Sequence, residues 1–138
     1  MNNAFKPLWG LFLIIVLFVL VMSAARWSQG EEIVPWRDDY AAARAEAVAN
    51  DKPLLVYFTA AWCRPCQRMK TTTWADQRVE AALRDYVPVK VDVDHQPAIA
   101  NEYRVEAVPS FLILGPEGVT RATSGYHPPQ DFLRWLEG

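Results

Sequence analysis

From Leu8 to Met22 no side chain is charged or strongly polar. A run with no polar face does not read as the amphipathic helix of a soluble core. It holds 15 residues, or 18 if extended to Ala25. That is the lower edge of the roughly 17–25 needed to cross a bilayer and the upper edge of a signal-peptide core of about 7–15. Lys6 precedes the run, Arg26 follows it, and Trp9 and Trp27 bracket it as interfacial anchors would. Ser23-Ala24-Ala25 supplies small residues suited to cleavage after Ala25. Residues 1–25 are therefore expected to be a retained single-pass anchor or a cleaved signal peptide, the length favouring the anchor. Both place the later residues across the membrane. In a bacterium that is the periplasm, where disulfides persist. The anchor would hold the domain at the inner membrane; cleavage would leave it soluble in the periplasm. Residues 26–37 read as a short polar linker.

The pattern then changes to that of one α/β domain over 38–138. Tyr40, Ala43, Ala47 and Val48 recur at helical spacing after Asp38, a candidate N-cap, and Asn50-Asp51-Lys52-Pro53 stops the helix. Leu54 to Phe58 is an unbroken apolar run and predicts a buried central strand. A helix is expected from Cys63-Arg64-Pro65-Cys66 to about Thr73, with Pro65 suited to its first turn. Another follows over 76–85. Val87 to Val93 alternates and predicts a second strand. A short helix is expected over 97–103, a third strand over 110–114, and a fourth over 119–123. Gly115-Pro116-Glu117-Gly118 joins the last two as a hairpin. A closing helix over 128–136 would bury Phe132, Trp135 and Leu136. Such alternation implies a mixed sheet of about four strands with helices on both faces.

Charge narrows the partners. Every acidic residue lies at or after Glu31, and residues 31–138 carry twelve basic against sixteen acidic side chains, a net of −4. With no basic stripe, nucleic acid has no electrostatic footprint here. No nicotinamide or flavin fingerprint is present either, so no cofactor is expected.

The chain's two cysteines, Cys63 and Cys66, carry the candidate chemistry. Two thiols at a helix start can close a small disulfide ring. The unsatisfied N–H groups of the first turn and the helix dipole favour a thiolate at the first sulfur, and Arg64 adds a neighbouring positive charge. The thiolate is the attacking species in disulfide exchange. The second thiol is close enough to resolve a mixed disulfide intramolecularly. Zinc is disfavoured, because only His95 and His127 could complete four ligands and neither has the paired spacing. Two-coordinate Cu(I) remains a rival, since thiolates suit it. A purely structural bridge would gain little from closing so short a loop.

The stretch from Lys52 to Cys66, with its strand, Trp-Cys-x-x-Cys and helix, resembles the thioredoxin superfamily, as does Val108-Pro109-Ser110-Phe111. With Trp36 and the alanine-rich helix, residues from about 36 onward look like the branch that includes the C-terminal domain of the disulfide reductase DsbD. The resemblance implies a thioredoxin-like fold, Cys63 as exposed nucleophile and Cys66 as buried resolving thiol. It implies that Trp62 borders the active surface. Pro109 would lie beside the disulfide in a cis bond, and the Val108–Pro109 loop would offer backbone groups to an extended substrate. Pro65 before the second cysteine resembles the reducing Cys-Gly-Pro-Cys pattern.

One position departs from the family. Tyr57 stands where thioredoxins usually carry a buried aspartate, while Lys90 matches the lysine that commonly partners it. A tyrosine with an ordinary pKa near 10 is a poor base at neutral pH. Proton transfer would need Lys90, a water or another carboxylate. The expected activity is protein-disulfide exchange in the reducing direction, on disulfide-containing exported proteins, with electrons from a membrane partner. The rival is a copper-handling or chaperone-like binding module on the same fold.

Overall fold

The computed structural model describes residues 6–27 and 30–138, with side chains described for 9–23 and from 30 onward. The chain divides into two units at Gly30/Glu31.

The first unit is a helix, α1 (Lys6–Trp27). Its large apolar side chains from Trp9 to Met22 are exposed. Among the described residues no helix is long and apolar enough to cross a membrane. The expected span is therefore not found there. The side chains of Lys6, Ala25, Arg26 and Trp27, on which the orientation, cleavage and interfacial readings rest, lie outside the described ones.

The second unit runs α2 (Tyr40–Ala49), β1 (Leu54–Thr59), α3 (Arg64–Thr71), α4 (Gln77–Leu83), β2 (Val87–Asp92), α5 (Pro97–Glu102), β3 (Ser110–Gly115), β4 (Gly118–Ser124) and α6 (Pro129–Glu137), with a 3-10 turn at Thr73–Ala75. The sheet order is β2-β1-β3-β4. β1 is parallel to β2 and antiparallel to β3, and β3 and β4 form the antiparallel hairpin. This is the thioredoxin-like α/β arrangement expected from the sequence.

Alternation along the central strands divides the interior in two. Leu55 and Tyr57 of β1, with Phe111 and Ile113 of β3, face α3, α4 and α6, where Cys63, Cys66, Met69, Trp74, Val79, Leu83, Phe132 and Leu136 join them. Leu54, Val56 and Phe58 face the other way, onto Val87, Val89, Val91 and the helices carrying Tyr40, Ala43, Ala47 and Ala100. The first core is aromatic. Tyr57 stacks on Phe111 at 5.2 Å, and Trp74 meets Phe132 edge to face at 4.9 Å.

Three expectations need correction. Asp39, not Asp38, caps α2, its carboxylate accepting the Ala42 N–H at 2.9 Å. Val48 is exposed, because the helix turns it off the Tyr40-Ala43-Ala47 stripe. The latter part of the supposed linker belongs to the domain. Ile33 N–H donates to the Trp74 carbonyl at 2.8 Å, and Arg37 pairs alongside Val89. This extended stretch turns Glu32, Val34 and Trp36 inward and leaves Glu31, Ile33 and Pro35 exposed. Val34 and Trp36 pack on the aromatic core, so apolar burial holds the segment down.

Trp74 is fully buried at the junction of that segment, Tyr57 and α6. Trp74→Ala is expected to cost about 3–5 kcal/mol of unfolding free energy, read as a fall in the urea midpoint. Val48→Ala should stay within about 0.5 kcal/mol of the parent.

Candidate active site

β1 is buried on both faces and ends at Thr59, which delivers the loop Ala60-Ala61-Trp62 at the carboxyl end of the strand. Gln67 Nε2 donates to the Ala61 carbonyl at 2.9 Å and ties the loop to α3. Cys63 follows as the N-cap of α3. Its Sγ accepts the Cys66 N–H at 3.2 Å. That bond meets one of the orphan donors of the first turn. Pro65 sits in the same turn, where a missing N–H costs nothing. Cys63 and Cys66 form a disulfide with Cα atoms 5.2 Å apart.

The expected contrast between an exposed Cys63 and a buried Cys66 is not seen in the closed ring. Their exposures are 2% and 4%. Cys63 Sγ lies against the first-turn amide of α3, and both residues are covered. Trp62 is the exposed neighbour at 66%, its indole N–H donating to Asp94 at 2.9 Å. It is a surface aromatic and not part of the core. Arg64 is also exposed. Asp92 and Asp94, which alternate in the sequence, hold a turn: the Asp92 carboxylate accepts the Asp94 N–H at 2.9 Å.

The Val108–Pro109 bond is cis. The Pro109 carbonyl is already engaged by the Gly125 N–H at 2.8 Å. Val108 is half-buried, and no backbone partner engages it among the described residues.

Tyr57 and Lys90 are direct partners across the parallel β1/β2 register. Val87, Val89 and Val91 point to the opposite core, so Lys90 shares the face of Tyr57 and the cysteines. Burial pushes the Tyr57 phenol above its ordinary value, and the nearby Glu32 charge adds to the rise. Lys90 Nζ donates to both Glu32 carboxylate oxygens, at 2.8 and 3.0 Å, and lies 5.6 Å from the Trp36 ring centre. Glu32, Tyr57, Cys66, Gln67, Lys70, Trp74, Lys90 and Asp92 line one cavity of about 230 Å³. Glu32 is the residue that sequence reasoning missed, because it was assigned to the linker. The inward alternation of residues 32, 34 and 36 was the signal available.

A family model described as thioredoxin-like matches residues 35–116. The chain belongs to this family, and its Cys63–Cys66 bridge is a disulfide of the Cys-x-x-Cys type. It is similar to the chloroplastic thioredoxin Y2 of Arabidopsis thaliana, 42% identical over 47% of this chain and 38% of the relative. It is similar to the thiol:disulfide interchange protein TxlA of Synechococcus elongatus, 28% identical over 86% of this chain and 62% of the relative. Its fold superposes on the oxidised C-terminal domain of DsbD from Neisseria meningitidis with a TM-score of 0.60 and 25% identity, covering 74% of this chain and 97% of that domain. The resemblance read from the cysteine motif is thus found in three dimensions.

Two buried tyrosines couple stability to alkaline pH. Burial also raises Tyr40, whose hydroxyl is 2.5 Å from that of Tyr103. A phenol held above its unfolded pKa contributes fully below pH about 10 and loses that contribution as pH rises through the folded value. Stability should therefore fall above about pH 10, and less steeply in Tyr57→Phe. Urea midpoints across that range test this; an unchanged slope in the variant would contradict it.

Proposed function

We propose that the chain reduces disulfides in exported proteins, with Cys63 as the attacking thiol and Cys66 as the resolving one. The observation that carries this is the Cys63–Cys66 bridge at the N-terminus of α3, beside exposed Trp62. Helix N–H groups stabilise a thiolate at the capping position. In the forward step the Cys63 thiolate attacks a substrate disulfide, one substrate sulfur leaves as a thiolate, and a mixed disulfide forms. Cys66 then attacks Cys63, closing the pair and releasing the second substrate sulfur. Arg64 and Pro65 support the pair by charge and by turn geometry. Val108 lends backbone groups to an extended substrate.

The reducing direction is supported by Pro65, which resembles the reducing motif. A chain without its own electron carrier needs a donor, and a membrane dithiol partner fills that role in this reading. The likeness to the DsbD domain supports exported substrates. The proposed location is the outer side of the inner membrane, with α1 as retained tether or as cleaved export signal. The exposed apolar side chains of α1 support an apolar environment for that helix.

Insulin reduction by the full chain in dithiothreitol tests the reading. Cys66→Ser should abolish turnover and accumulate a mixed disulfide at Cys63. Undiminished turnover in that variant would sink the assigned roles. Tight Cu(I) binding with no turnover in the parent would favour the copper-handling module instead.

A further inference from the structure

Resolution requires Cys66 to lose a proton before its sulfur can attack. β1 supplies no carboxylate to receive it. The inward side chain opposite Lys90 is Tyr57, held as the neutral phenol by its burial. The charged groups around the cavity that Cys66 lines are Glu32, Lys70, Lys90 and Asp92. Lys70 is exposed on α3 and is a cation. Asp92 is more exposed, at 27%, and its Oδ1 is held in the turn after β2, accepting the Asp94 N–H at 2.9 Å and the His95 N–H at 3.3 Å, with the His95 ring nitrogen 3.3 Å away. Glu32 is different. Its side chain is 14% exposed, and its only polar partner among the described residues is Lys90. A carboxylate has about four acceptor positions, so the two bonds from Lys90 leave capacity on the cavity side.

We propose that Glu32, carried into the domain by the segment before α2 and held by Lys90, exchanges the Cys66 proton through water in their shared cavity. This rests on the exchange reading above. A cavity of about 230 Å³ has room for several waters at about 30 Å³ each. Trp74 lines it too. Lys90 is the positioning residue. Its ammonium balances the carboxylate and, through the β1/β2 register, places it on the cysteine face of the sheet.

The step balances. The Cys66 proton passes by water to the Glu32 carboxylate. The Cys66 thiolate forms a bond to Cys63 Sγ, the bond from Cys63 to the substrate sulfur breaks, and the electron pair departs on the substrate cysteine as a thiolate. When a donor dithiol reopens the closed pair, Cys66 leaves as a thiolate and Glu32 returns the proton. Segment 31–37 is in this sense part of the active site, and its packing by Val34 and Trp36 has a chemical consequence.

The full reduced chain mixed with the aromatic disulfide DTNB separates the two thiols. Attack by Cys63 releases one thionitrobenzoate, and resolution by Cys66 releases the second. In Glu32→Gln, which keeps an acceptor oxygen for Lys90, the first phase should be unchanged. The second should slow on the order of a hundredfold near neutral pH and recover as rising pH deprotonates Cys66 without help. Glu32→Asp, which retains the base at shorter reach and guards against a misfolded amide variant, should fall between the two. A second phase with the parent's rate and pH profile in Glu32→Gln would overturn the relay while leaving exchange intact. Equal slowing of both phases would also overturn it, marking Glu32 as merely structural. Absence of a second phase in the parent would sink the exchange reading and the relay with it.

Discussion

Burial of β1 on both faces is the constraint from which the site follows. Five of its six residues are buried, and it sits between β2 and β3. A strand in that position cannot slip by one residue without exchanging its two cores. The register therefore fixes Tyr57 and Leu55 toward the aromatic core and the even-numbered residues toward α2 and α5. It also fixes where the chain leaves the sheet. Thr59 ends the strand, a tied loop follows, and Cys63 arrives as the cap of α3 with its sulfur already on an amide of that helix. The same register sets Lys90 across from Tyr57. The disulfide follows once the strand is in place, and the Glu32–Lys90 pair needs in addition the packing of Val34 and Trp36.

Tyr57 and Glu32 form a trade. An aromatic at the strand centre completes a packed set with Trp36, Trp74 and Phe111, and such pairs add about 0.5–1.5 kcal/mol each beyond area burial. The strand then lacks an acid. The segment before α2 returns one from outside the sheet, ion-paired to a lysine that the strand already presents. An isolated buried carboxylate would be costly, and the Lys90 ammonium offsets that cost. Packing and proton chemistry are thus divided between two segments.

Much of this was legible in the sequence because it rested on local patterns. The apolar run at 54–58, the Gly-Pro-Glu-Gly hairpin and the Cys-x-x-Cys at a helix start each carry their own signal, and the sheet and the bridge followed from them. The errors arose where tertiary contact decides. Val48 matches the helical stripe in spacing, but the sheet is reached by Tyr40, Ala43 and Ala47. Residues 31–37 look polar enough to be a linker; only the packing of Val34 and Trp36 makes them a strand-like edge. Cys63 was expected to be open, since exposure depends on how the closed ring lies against α3 and not on the motif. Trp74, between two helical stretches, gave no pattern that marked it as the centre of a core.

The most direct test of a reducing Cys63–Cys66 couple is its reduction potential. The full chain would be equilibrated in thiol–disulfide buffers, with the fraction of free thiol read by alkylation. A value near about −270 mV, the thioredoxin end of the scale, is the predicted result and means a reductant that a partner must recharge. A value near about −120 mV would make the pair a disulfide donor and contradict the direction assigned here.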